Sequence, residues 1–552
     1  MKKSLALVLA LVFVLSMALT ACGPKTEPAT GGDAAAPAEP KVLRMLATSE
    51  PPNLDPQLGT DTVSIMVDNA LLEGLIRVHE GKVLPGMAET WDVSADGLTY
   101  TFHLRDAQWS DGQKVTAQDF EYSFLRLLDP ATASEYAFQG YYIVNGEAFN
   151  TGKITDPTQV GVKALDEKTF EVKLVAPTKY FLALTGFLSF MPSRKDLVDQ
   201  YKEGYAADAS KAVYNGPFVL KDWQHDASLT LEKNPNYWNK EAINLDKVEM
   251  TIVTDSKTAI NMYEAGDIDL VGIPKDFIPQ YEAAGNANYY SQGSEFYFQF
   301  NVKGRTPEIG KFLSNKNFIH ALGFAIDRQA FVDQVLKNGS TPAQRYILPL
   351  LMGDQDKFAN EYPLEYYPAS ADVAKAKEFL DKALQELGTT ADKIPTIEYL
   401  TDDSDVARTN GEAIQDMLAK NLGIKVEIKQ VQFKQRLELM EAHDYDLVFA
   451  GWGPDYDDPM TYADLWVTGG GHNNTGWSNA KYDELIEFAK TSADGKARAQ
   501  ALAESEKLLL EEGPIVPIYF RNGVYAKQPY LKGIVRNFIG ADPDFVFADI
   551  QK

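Results

Sequence analysis

The sequence holds one cysteine in 552 residues, Cys22, and only six histidines. A single thiol excludes an internal disulfide, so the fold must be held by its core. The histidines (His79, His103, His225, His320, His443 and His472) are scattered, with no pair at metal-ligand spacing. That argues against a dedicated metal site, and no cofactor is expected. Basic charge is also short. There are 53 Lys and Arg against 78 Asp and Glu, a formal net charge of −25. Such a chain lacks the basic face that phosphates demand, so nucleic acid is not its partner. Its body would not lie on an anionic membrane either. The charge keeps the protein soluble and at most slightly favours cationic ligands. The signatures G-x-S-x-G, H-E-x-x-H, the Walker A loop and the dinucleotide fingerprint are all missing. No pair of carboxylates stands out as an acid/base couple. No later apolar run is long enough to cross a bilayer, and no internal repeat is visible.

What is present begins at the N-terminus. Lys2 and Lys3 open a positive region, and residues 5–19 form an apolar run too short to span a membrane comfortably. Leu19-Thr20-Ala21-Cys22 follows. This pattern is a secretory signal rather than an anchor. The lone Cys directly after the cut resembles a bacterial lipobox, whose thiol takes a lipid and becomes the mature N-terminus. An ordinary signal peptide with an incidental Cys is the alternative. Residues 23–40 are rich in Pro, Ala, Gly and Thr and read as a disordered tether. The expected location is the outer face of the cell membrane.

The remainder, residues 41–552, is too long for one core, and two or more lobes are expected. Residues 98–105 alternate apolar and polar with period two, as in a half-buried strand. Phe170, Val172 and Leu174 do the same, and so do Phe296, Phe298, Phe300 and Val302. Residues 447–450 are a short continuous apolar run, as in a strand covered on both faces. Tyr482, Leu485, Ile486 and Ala489 share one helical face. A helix over 371–387 should stop at Gly388, and one over 497–512 at Gly513 and Pro514. Strands alternating with helices make an α/β protein.

One constellation stands apart: Gly451-Trp452-Gly453-Pro454-Asp455-Tyr456-Asp457-Asp458-Pro459. Asp458 before Pro459 suits an N-cap opening a helix through Trp466. That leaves Asp455 unexplained, on the loop that follows a strand, where open α/β sheets bind ligands. A calcium loop is excluded, because Met460 stands where a Gly is needed and Trp466 where a Glu is needed. A solvated acidic loop is the other reading.

The segment from Ala88, reading AETWDVSADGLTYTFHLRDAQWSDGQKVTAQDFEYSF, resembles the signature region of the family 5 extracellular solute-binding proteins of peptide and nickel ABC importers. VGVKALDEKTFEVKL, NGPFVLKDW, YDLVFAGWGPDY and IVPIYF continue the resemblance in order along nearly the whole mature chain. It is nearest to the oligopeptide binders. The resemblance implies a periplasmic-binding-protein-like clamshell of type II with two lobes and an extra subdomain. The first lobe would hold residues 41–298 and 523–552, with an insert over about 73–194. The second would hold 299–522. It implies a non-enzymatic, monomeric binder that closes on a peptide and delivers it to permease subunits and, through them, to cytoplasmic ATPases.

In such proteins the aspartate of the G-W-x-x-D-Y loop holds the peptide's α-ammonium. Here that is Asp455, with Trp452 and the backbones of Gly451 and Gly453 beside it. A facing strand of the first lobe would fall at residues 59–62, with Thr60 and Thr62. The insert offers Tyr136, for which a packed core aromatic is the other reading. The resemblance breaks at the carboxyl end of the ligand. Phe449 and Met440 stand where the oligopeptide binders carry anchoring arginines. Arg521 replaces a tyrosine, and Arg408 lies near another carboxylate-contacting position. The ligand class therefore stays open between oligopeptides and dipeptides, oligosaccharides or nickel. A pheromone sensor or adhesin on the same fold, or a secreted enzyme, are alternatives from other classes.

Overall fold

The computed structural model describes residues 39–552, of which 41–552 form one compact unit. The signal peptide, Cys22 and almost all of the expected tether lie outside the described residues. No helix among the described residues is long and apolar enough to cross a membrane.

Three main sheets organise the chain. In the first, Val42–Ala47 runs parallel to Lys247–Ile252, which pairs antiparallel with Ser228–Lys233 and then Phe218–Gln224. The second is antiparallel throughout, in the order Ala88–Val93, Thr99–Leu104, Thr169–Lys173, Val162–Ala164. The helix Ala117–Leu128 covers one face of it. Its Phe120 and Phe124 meet Phe170, whose alternation along the strand aims it at that face. This sheet falls wholly within the segment expected as an insert.

The third sheet is mixed and positions the candidate site. Its order is Leu270–Gly272, Ile515–Lys527, Asn288–Phe300, Leu447–Trp452, Ile397–Asp402, Val426–Val431. Ile515–Lys527 and Asn288–Phe300 are each 13 residues long and pair antiparallel with each other. Leu447–Trp452 is antiparallel to the second of these and parallel to Ile397–Asp402. Leu447, Val448, Phe449 and Ala450 are all buried, as the unbroken apolar run requires of a strand covered on both faces.

Most local signals hold. Val373–Leu387 ends at Gly388 and Gly495–Glu512 at Gly513, both glycines in the left-handed region (φ 60° and 75°) where a side chain would strain the cap. Tyr482, Leu485, Ile486 and Ala489 are buried along one helix.

Three expectations need correction. The strand around Phe296 is not half-buried. It ends at Phe300, and Tyr297, Phe298, Gln299 and Phe300 are all buried, because both faces of the sheet are covered. No strand forms at residues 59–62. Asp61 is extended (φ −116°, ψ 157°) and its carboxylate accepts from the backbone N–H groups of Val63 and Ser64, so Thr62 begins the helix Thr62–Leu71. The helix after Asp458 is a single turn, Met460–Ala463, tightened into a 3₁₀ turn, Asp464–Trp466. Asp458 accepts from the Met460 N–H at 2.9 Å, but it also takes both arms of Arg498 at 2.8 Å each. It joins two segments as well as capping one.

Candidate functional site

Asp455 follows the strand Leu447–Trp452 by three residues. Its backbone N–H donates to Thr461 Oγ1 at 3.0 Å, which holds the loop against the next helical turn. The carboxylate receives two neutral donors from a distant part of the chain. Tyr136 OH lies 3.3 Å from Oδ1, and Gln139 Nε2 lies 2.9 Å from Oδ2. No Lys, Arg or His pairs with it among the described residues, although the residue keeps some accessible surface. Burial pushes the carboxyl well above the usual range, and the nearby charge of Asp464 pushes it further. The Tyr136 and Gln139 bonds pull the other way without prevailing. Asp464 is itself raised to about 7, chiefly by burial.

The surroundings are aromatic. Tyr136 packs on Phe187, Phe138, Trp452 and His472, with ring centroids 4.9–6.0 Å apart. His472 also meets Trp452 edge-on at 4.9 Å, and burial drives its pKa down to about 3, so it is neutral. Tyr180 stacks on Tyr456 at 4.4 Å with planes 8° apart. Tyr180 OH accepts from Arg498, the residue that clasps Asp458. The loop after Trp452 is thus pinned from two sides to residues 136–180.

A side chain at Gly451 would have to displace a neighbouring ring. A Cβ there would come within 2.9 Å of the Phe296 ring, which lies across the position. Gly451 is nevertheless exposed, so its backbone is open on the other side. A Cβ on Gly453 would meet only Ser294 Oγ, at 3.3 Å.

The sequence-based residues divide accordingly. Asp455, Trp452, Gly451, Gly453 and Tyr136 come together. Tyr136 is both a packed core aromatic, 2 % exposed, and a donor to Asp455. Thr60 and Thr62 flank Asp61, whose charge reaches the Tyr136 phenol, so that segment lies close by. Phe449 lies in an aromatic cluster with Phe296, Phe298, Tyr399 and Tyr519 and is 6 % exposed. Met440 is likewise buried. Arg408 is exposed on the helix Asp405–Leu422, and its Nε donates to Gln430. Arg521 is exposed, with its guanidinium 5.3 Å from the Phe296 ring centre.

Gln139, Thr461 and His472 were missed by sequence reasoning. No motif marks them. The only available signal for Gln139 was its position three residues beyond Tyr136. Among the described residues no cluster of His, Cys, Asp or Glu could hold a metal ion.

Residues 82–474 match the family model of the bacterial extracellular solute-binding proteins, family 5. The chain is 35% identical to the dipeptide-binding protein DppE of Bacillus subtilis over 95% of each chain. It is 34% identical to the oligopeptide-binding protein OppA of the same organism over 97% of each. The solved structure of Listeria monocytogenes OppA bound to peptide superposes with a TM-score of 0.87 at 34% identity, covering 93% of this chain and 100% of that one. The fold is therefore the α/β two-lobe clamshell of periplasmic-type binding proteins.

Proposed function

The chain belongs to the family 5 bacterial extracellular solute-binding proteins, and on that premise we propose that it captures oligopeptides outside the cell and delivers them to an ABC importer. The peptide's α-ammonium sits against Asp455. Its extended backbone runs beside Gly451–Gly453 as an added strand, so main-chain bonds give affinity without reading side chains. Trp452 and Tyr136 wall the amino end.

The observation that carries this reading is the state of Asp455. A carboxylate held deep in the protein by two neutral donors, with no cation in reach, is costly as an anion. An arriving ammonium supplies the missing charge. Closure supports the same reading. Asp455 belongs to the segment 299–522 and its two donors to 73–194, so one carboxylate is shared between the second lobe and the insert in the first. The Tyr180–Tyr456 stack and the Arg498–Tyr180 bond join the same two segments. Opening the lobes about the two long strands would break these contacts, and a bound peptide would bridge the halves. The closed form is what the permease subunits, coupled to cytoplasmic ATPases, would accept. Lipidation at Cys22 would keep the monomer at the membrane surface.

The test is calorimetry with free and N-acetylated peptides. Losing the partner of a buried ammonium costs about 2–5 kcal/mol. Asp455→Asn should therefore weaken binding of free peptides roughly 30-fold or more, at about 1.4 kcal/mol per tenfold. Acetylated peptides should bind the wild type poorly and lose little more in the variant. Equal affinity of the wild type for both forms would reject the role.

A further inference from the structure

The peptide group that joins Pro454 to Asp455 is held at both ends. Its N–H, that of Asp455, donates to Thr461 Oγ1. Its oxygen, that of Pro454, accepts from the Gly540 N–H at 3.3 Å. A peptide group is planar, so fixing both its oxygen and its nitrogen fixes the direction in which the chain enters Asp455. Thr461 lies on the helical turn that follows the loop. Gly540 comes from the C-terminal tail, a separate part of the fold.

That tail is anchored beside the first sheet, where Phe545 packs on Phe218 and Lys41 pairs with Asp549. Residues 536–542 leave it as a loop closed at its base. The Arg536 guanidinium donates to both oxygens of Asp542 at 2.7 Å each, and the Asn537 N–H donates to Asp542 Oδ1 at 3.1 Å. The guanidinium also lies 3.7 Å from the ring centre of Tyr290 and 5.1 Å from that of Tyr525, one on each of the two long strands. Phe538 rests its backbone on Gly293, where a Cβ would strike its carbonyl oxygen. The loop is therefore a braced arm, not a free end. Its tip is Gly540, in the left-handed region (φ 73°), and a Cβ there would meet nothing within 4 Å.

We propose that the loop 536–542 is a positioning element for the site, and that Gly540, by holding the Pro454 carbonyl, orients Asp455 toward the ligand's ammonium. This rests on the aspartate–ammonium reading above. Gly540 itself need not touch the ligand. It acts through the peptide plane before Asp455, so its effect belongs to ligands with a free amino end.

The probes are trialanine and N-acetyltrialanine, measured by calorimetry on the full chain. Gly540→Pro removes the N–H and should weaken trialanine about fivefold, with N-acetyltrialanine changed by less than about twofold. A loop that only supported the fold would weaken both alike. Placed on Asp455→Asn, Gly540→Pro should cost nothing more, since the two act as one unit. Gly540→Ala keeps the donor but strains the left-handed backbone, so its loss should be smaller and in the same direction. If circular dichroism shows Gly540→Pro to be unfolded, Gly540→Ala decides by the same comparison. Undiminished binding of trialanine, an equal loss for both peptides, or a further loss on top of Asp455→Asn would each overturn the proposal. If the wild type does not distinguish trialanine from its acetylated form, the aspartate–ammonium reading fails and this proposal with it. A wild type that distinguishes them beside loop variants that lose nothing overturns this proposal alone.

Discussion

Gln139 donates from Nε2 to Oδ2 of Asp455 across 2.9 Å, although 316 positions separate the two residues. The amide oxygen points the other way, where Oε1 accepts from Ser189 Oγ; turned round, it would set an oxygen against the Asp455 carboxylate. Ser189 thus engages the end of the amide that the carboxylate does not meet. Both Gln139 and Ser189 are fully buried, so the orientation is set before any ligand arrives.

Gln139→Met should remove that donor at similar volume. A hydrogen bond to a charged group contributes about 1.5–3 kcal/mol. The variant should therefore bind free-amino peptides roughly tenfold or more weakly in calorimetry, with acetylated peptides little changed. Undiminished affinity for free peptides would show that Asp455 does not depend on Gln139.

Binding should release protons. Burial, assisted by Asp464, raises the carboxyl of Asp455, and an incoming ammonium lowers it again. Affinity should rise with pH through the weakly acidic range. It should turn down once the peptide's own amine deprotonates, near about 8. Calorimetry at pH 6 in two buffers of different ionisation heat measures the proton count directly. A count of zero would mean that Asp455 is already charged in the empty site.

His320 should make the fold acid-sensitive. Burial lowers its pKa to about 4, against the opposing bond from its Nε2–H to the Glu511 carbonyl. Its folded pKa thus lies below the unfolded value of about 6.5, so the unfolded chain binds the extra proton. Stability is intact above about 6.5 and is lost as pH falls toward about 4. At about 1.4 kcal/mol per unit the ceiling is about 3 kcal/mol. In urea unfolding, the stability gap between wild type and His320→Gln should shrink between pH 7 and 4.5. A constant gap would contradict this.

The pair Arg345–Glu506 should be structurally costly to break. Both side chains are buried, and Glu506 also accepts from the backbone N–H groups of Tyr346 and Ile347 at 2.9 and 2.7 Å. Glu506→Ala leaves a buried arginine alone and should cost about 3–5 kcal/mol, read from denaturant midpoints. Arg345→Met with Glu506→Leu removes the lone charge but leaves the Tyr346 and Ile347 N–H groups without an acceptor, so it should recover only part of that loss.

Cys22→Ser should send the protein into the medium. If the variant stays with membranes through detergent-free washing, Cys22 is not the anchor.

Sequence by itself determined the family, the fold class, most local elements and part of the candidate site. Period-two and helical spacings depend only on neighbours along the chain, so the strand Thr169–Lys173, the helix Ala480–Thr491 and the helix stops at Gly388 and Gly513 were legible. The G-W-x-x-D-Y segment was legible too, because one loop carries all of it. Tertiary structure decided the rest. Whether Phe296 lies on a half-buried or a covered strand depends on what packs against the sheet. Residues 59–62 are a different case: Asp61 capping the N–H groups of Val63 and Ser64 is a local signal that the sequence carries and the strand expectation passed over. Gln139 joins the candidate site only because the fold brings it to Asp455 from 316 positions away. Contacts between residues hundreds of positions apart leave no periodic trace, because they are fixed by how the lobes pack and not by the chain's local conformational preferences.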